Sequence, residues 1–192
     1  MMKKISLTLL TVLAVSAIFP KSDTLLFAQG PSSSVVLERP IDAKYLNVGK
    51  KEYMLVFYGY VGCVKVCSPV LDNLNRFYSS DAFSKFEPFV DLIFVNLLPK
   101  VSQDQPDQFA KVFNANFIGV YLTEKELSGI DKELNVYFSK RIDDSFELDH
   151  SDHIYLIKRE KDGKLTLINI YTTHPLNQAS IIDDLTQYTQ NH

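Results

Sequence analysis

Along this chain, unbroken apolar runs give way to helical stripes, with short polar stretches between them. Tyr53–Tyr58 (YMLVFY) is apolar throughout. That predicts a central strand covered on both faces, because a strand with one wet face alternates polar and apolar residues. Phe89–Leu98 (FVDLIFVNLL) predicts a second such strand. Between them Val70, Leu71, Leu74, Phe77 and Tyr78 recur at helical spacing. Ser68-Pro69 supplies an N-cap and a proline at the first helical position. Pro106–Phe113 reads as a helix that also opens on proline. Thr123-Glu-Lys-Glu126 fits a capping box, opening a helix with Leu127, Ile130, Leu134 and Phe138 on one side. Ile154–Ile157 predicts a short strand, Asp162-Gly163 a hairpin turn, and Leu165–Tyr171 the returning strand. A last helix near Pro175–Gln190 turns Ala179, Ile182, Leu185 and Tyr188 inward. The order is strand, helix, strand, helices, hairpin, helix. It predicts an α/β domain with a mixed central sheet flanked by helices.

Length and composition place this domain in one globular unit: 192 residues, 46% of them apolar. A thioredoxin-like fold fits the element order best. The N-terminus stands apart. Met1–Lys4 is short and basic, and Ile5–Phe19 is an apolar stretch, short for a membrane span and of the size of a secretory signal. Cleavage sites follow Ala17 and Ala28. Residues 1–28 are therefore expected to be a signal peptide or N-terminal membrane anchor, 29–34 a polar linker, and 35–192 the domain. The expected location is exported, either periplasmic or anchored to the outer face of the cytoplasmic membrane. The formal net charge is −3 and the acidic residues are spread along the chain. With no basic patch interleaved with aromatics, nucleic acid is set aside as a partner.

Export changes the reading of the only two cysteines, Cys63 and Cys67, because outside the cytosol a thiol pair oxidises unless something keeps it reduced or metallated. Both lie between the first strand and the helix after it, at the sheet edge where α/β domains gather ligand chemistry. A helix N-terminus and the intervening Lys65 both favour a thiolate there. Thioredoxin-type redox sites separate their cysteines by two residues; here Val64, Lys65 and Val66 intervene. A stapling disulfide, a redox pair and a soft-metal site all remain open. A staple closing so short a loop adds little, whereas two thiolates select Cu(I) or Zn(II), with an imidazole to complete the set.

Four histidines could supply that imidazole. His192 is terminal and His174 precedes Pro175 in a loop. His150, in ELDHSDHIYLI, stands immediately before the Ile154–Ile157 strand, where thioredoxin-like domains pack a segment, usually through a cis-proline, beside the cysteine loop. No proline is present there. His153, three residues on, points to the opposite face in extended chain.

GYVGCVKVC after an apolar strand, followed far downstream by DHSDHIYLI, resembles the Sco/SenC family of copper-binding assembly factors. The resemblance spans most of residues 35–192. It implies that Cys63, Cys67 and His150 bind copper, Cu(I) or Cu(II), and that Asp149 orients the imidazole. Lys65 would stabilise the negative charge that two thiolates leave on Cu(I). It implies a metallochaperone whose client is a cuproprotein or an oxidase subunit with a CuA centre. The departures are Val61 in place of the family's Thr, Val64-Lys65 in place of Pro-Asp, Ser68 in place of Pro, and Lys100-Val-Ser-Gln-Asp104 in place of Asp-Pro-x-Arg-Asp. Beyond the leader, Met54 is the sole methionine, which speaks against a methionine-based copper carrier. The alternative function is a thiol–disulfide oxidoreductase that keeps a partner's cysteines reduced, using the same pair.

Overall fold

The computed structural model describes residues 34–134, 136–140, 148–172 and 175–190. Its strands are β1 (Ser34–Ile41), β2 (Tyr53–Gly59), β3 (Val90–Asn96), β4 (Ile118–Val120), β5 (Phe138–Lys140), β6 (Leu148–His150), β7 (Ile154–Arg159) and β8 (Leu165–Tyr171). Its helices are α1 (Cys67–Tyr78), α2 (Asp81–Ser84), α3 (Gln105–Phe113), α4 (Glu124–Leu134) and α5 (Gln178–Gln190). Six strands form one sheet in the order β1-β8-β7-β2-β3-β4. β2, β3 and β4 run parallel to one another, whereas β7, β8 and β1 are joined by antiparallel pairing. β5 and β6 form a separate antiparallel ribbon.

The two apolar runs become the middle of the sheet, and every residue of β2 and β3 is buried. Alternation along each strand sends its side chains into two different cores. Tyr53, Leu55 and Phe57 join Leu92 and Phe94 against α1, α3 and α5. Met54, Val56 and Tyr58 join Ile93 and Val95 against α4. This double coverage is why neither strand shows a polar face in its sequence.

The capping box is present: the Thr123 amide donates to Glu126 Oε2 (2.8 Å) and the Glu126 amide donates to Thr123 Oγ1 (3.3 Å). Three boundaries differ from the sequence reading. α4 stops at Leu134, and Phe138 belongs to β5, so only Leu127, Ile130 and Leu134 form its buried stripe. α5 opens at Gln178 and buries Ile181 and Leu185, while Ala179 is exposed. α1 opens at Cys67, with Val66 rather than Ser68 at the cap position.

Candidate metal centre

β2 ends on Gly59 at the carboxyl edge of the parallel strands, and the chain then turns through Tyr60–Val66 into α1. The turn is tight. The Cys63 amide donates to the Tyr60 carbonyl (3.2 Å), and Gly62 takes φ +89°, a left-handed conformation that favours glycine. The cysteine itself then closes the start of the helix. The Cys67 amide donates to Cys63 Sγ (3.3 Å), the Ser68 amide to the Cys63 carbonyl (3.3 Å), and the Val70 amide to the Val66 carbonyl (3.2 Å). Pro69 has no amide to satisfy. The open amides at the start of the helix, those of Cys67 and Ser68, are thus met without a serine cap. Ser68 Oγ instead donates back to the Cys63 carbonyl (3.1 Å), which is why the cap moved from its expected place.

His150 arrives from the other side as the last residue of β6, paired with Phe138 of β5. Its Nδ1–H donates to the Ser151 carbonyl (3.0 Å), leaving the Nε2 lone pair directed at the sulfurs. Nε2 lies 3.3 Å from Cys67 Sγ and 4.0 Å from Cys63 Sγ. Tyr60 and Phe57 meet the imidazole edge-to-face, with ring centroids 5.7 and 6.2 Å away. The three donor atoms all lie within 4.8 Å of one another, in a group that brings together three ligating side chains among the described residues.

Both cysteines are free thiols and buried, so neither stapling nor pairing through a disulfide is present in this structure. They differ in ionisation. The Cys67 thiol donates toward Cys63, and the Cys67 and Val66 backbones add to it. Together they hold the Cys63 thiol far below the ordinary range against the opposing effect of burial. The same hydrogen bond, with burial, pushes Cys67 up. Cys63 opens onto a cleft of about 320 Å³ lined by Tyr60, Val61, Val64, Lys65, Leu98 and Asp149 among others.

The sequence singles out five residues, and the structure places them at the cysteine loop, along its cleft and at the end of β6. Cys63, Cys67 and His150 converge. Lys65 is exposed on the loop and lines the cleft. Asp149 is exposed, pairs with Ser139 across the ribbon and lines the same cleft, while the contact at Nδ1 is the Ser151 carbonyl. His153 lies against Tyr155, with ring centroids 6.4 Å apart. His174 and His192 fall outside the described residues. Two residues escaped the sequence reading. A Cβ on Gly59 would sit 2.6 Å from Cys67 Sγ, so the strand must end on glycine for the sulfur to pack there. Asn96, polar and fully buried at the end of β3, reaches into the cysteine loop; its signal was one amide in an apolar run.

A family model described as SCO1/SenC matches residues 47–190. The chain belongs to the SCO1/SenC family. Among curated relatives, the SCO2-like protein of Rickettsia felis is 25% identical over 122 residues, covering 60% of this chain and 57% of that protein. The chain thus spans somewhat over half the length of that SCO2-like relative. The copper-bound ScoI of Arabidopsis thaliana superposes with a TM-score of 0.62 at 18% identity, over 77% of this chain and 89% of that one. The apo Sco1 of Thermus thermophilus superposes with a TM-score of 0.58 at 21% identity, over 81% and 92%. At such identities the two structures establish the thioredoxin-like Sco fold, and SCO1/SenC membership rests on the family match.

Proposed function

We propose that this protein is an extracytoplasmic copper metallochaperone of Sco/SenC type that binds Cu(I) through Cys63, Cys67 and His150. The observation that carries it is the convergence of two sulfurs and one imidazole nitrogen from positions 87 and 83 residues apart in the chain. The donor set fits the ion. Two soft sulfurs and one neutral nitrogen favour Cu(I), while Zn(II) in structural sites asks for a fourth ligand. Metal–sulfur and metal–nitrogen bonds of the usual length, spread over a trigonal plane, would separate sulfur and nitrogen by about 3.8 Å. The observed 3.3 and 4.0 Å bracket that spacing.

Roles then divide by position. Cys63, ionised and facing the cleft, takes up the ion first and releases it last. Cys67 and His150 hold it beneath. The Ser151 carbonyl keeps the imidazole in the tautomer that presents a lone pair. Lys65 and Asp149 flank the mouth, where the cation offsets the negative charge of two thiolates on Cu(I) and the carboxylate meets the client. Transfer proceeds by ligand exchange with a client's thiols or imidazoles, the client being an oxidase subunit with a CuA centre or another cuproprotein. Residues 1–28 serve as export signal or membrane anchor, and 35–192 form the copper-binding domain.

Titration of Cu(I) into the reduced protein against a competing chelator tests the reading, with Cys63→Ser, Cys67→Ser and His150→Ala beside it. One equivalent should bind, each cysteine variant should lose the tight site, and His150→Ala should weaken it at least tenfold. Unchanged affinity in His150→Ala overturns the three-ligand site. A thiol–disulfide oxidoreductase is the second reading, favoured by the unequal pair: Cys63, which lines the cleft, is held down in pKa, and Cys67 behind it is pushed up. There Cys63 thiolate attacks a client disulfide, Cys67 resolves the mixed disulfide, and two client thiols leave as the Cys63–Cys67 disulfide forms. Under that reading Cys67→Ser accumulates a mixed disulfide with an oxidised client, and His150→Ala leaves Cu(I) binding unaltered.

A further inference from the structure

The carboxyl end of β3 carries a residue of the wrong kind for its place. Asn96 pairs in register with Gly59, and like Leu92 and Phe94 before it faces the core that holds the cysteines. It is 0% exposed. An amide buried there is costly unless both ends are bonded, and both are. Oδ1 accepts from the Val61 amide (3.0 Å), and Nδ2 donates to the Leu98 carbonyl (2.6 Å). The Leu97 amide meanwhile donates to the Gly59 carbonyl (2.6 Å), the last backbone rung between the two strands. Asn96 therefore adds one more rung with its side chain, beyond the point where β2 leaves the sheet.

The two segments it ties are the two rims of the cleft, since both Val61 and Leu98 line it. Val61 stands two residues before Cys63, and the left-handed Gly62 lies between them. Fixing the Val61 amide thus fixes where the turn begins, and so where the Cys63 sulfur stands relative to Cys67 and His150. We propose that Asn96 is a positioning residue of the metal site: its amide clamps the cysteine loop to the end of β3 and sets the Cys63–His150 separation. This rests on the metal-binding reading above.

The test uses the reduced full-length chain and Cu(I) with a competing chelator, together with the thiolate-to-metal absorption of the Cu(II) adduct and a urea midpoint. Asn96→Leu keeps the shape and removes both bonds. Loss of a group that orients a ligand lowers metal affinity 10- to 100-fold, and that is the loss expected, with a shifted charge-transfer band. Asn169→Leu is the control. Asn169 is another amide that is 0% exposed and bonded at both ends, to the Ile170 amide and to Asp184, but it sits in β8 away from the cysteines. It should lower the urea midpoint and leave copper affinity and spectrum unchanged. Equal loss of affinity in the two variants, or native affinity and spectrum in Asn96→Leu, overturns the proposal. Should Asn96→Leu not fold, Asn96→Ser, whose hydroxyl is too short to span both partners, decides in the same way. Failure of the parent reading looks different: the unsubstituted chain itself then binds no Cu(I).

Discussion

A sulfur packed against a strand needs room that only a missing side chain provides. At Gly59 an added methyl would meet Cys67 Sγ at 2.6 Å, with Phe94 and Phe57 ring carbons at 3.1 and 3.2 Å on its other sides. Cys67 has a single side-chain torsion and no exposure, so it cannot yield without swinging its sulfur away from His150. Gly59→Ala should therefore do two things. Overpacking should cost about 1–3 kcal/mol in urea denaturation, and Cu(I) affinity should fall at least tenfold in chelator competition. If the affinity stays native while stability drops, the sulfur has found another position and the close approach has no bearing on the site. The aromatic edges that Tyr60 and Phe57 turn toward His150 work with the Ser151 carbonyl. Together they fix the imidazole on three sides, so each ligand is held by its own local geometry.

Elements deliver those residues from two independent pieces. The cysteines ride on β2 and α1, inside the main sheet and its helical layer, while His150 rides on the β5–β6 ribbon. α4 lies on the other side of the sheet, held by its capping box and by Leu127, Ile130 and Leu134. Thr123→Ala should thus cost about 1 kcal/mol of stability by removing the cap and leave Cu(I) affinity within twofold of native; a large loss of affinity would mean that α4 reaches the site. What could be read from the chain follows the same division. Central strands were legible because double coverage makes them continuously apolar, and α4 because its cap is encoded in two side chains. The start of α1 was not legible, because its cap is the sulfur and carbonyl of Cys63, returned to the helix by a turn that no residue pattern announces. Asn96 was passed over for a related reason. Its two partners are backbone groups of Val61 and Leu98, which have no signature in sequence.

At the scale of the whole molecule, the sheet is filled with tyrosine, and this gives folding a definite alkaline limit. Tyr53, Tyr58, Tyr155 and Tyr171 are all fully buried, two cores sharing them. Burial is the leading cause that raises the pKa of each, with Tyr45 adding at Tyr58 and Asp184 adding at Tyr171. Tyr155 is pushed up to about 12. An unfolded tyrosine ionises near 10. Between those values the unfolded chain has released a proton that the folded chain retains, so the unfolded state binds fewer protons and the free energy of unfolding falls as pH rises. The contribution of Tyr155 is complete below pH 10 and is lost as pH climbs through about 12. A shift of this size is worth on the order of 2–3 kcal/mol, and the other three tyrosines act in the same direction. Thermal melts should then be flat in this respect from pH 7 to about 9.5 and fall steeply above pH 10. Tyr155→Phe should flatten part of that fall, since a phenylalanine has no proton to lose. A melting temperature that does not change between pH 10 and 12, or a variant whose decline matches the native one, would show that Tyr155 ionises in the folded protein as readily as in the unfolded chain.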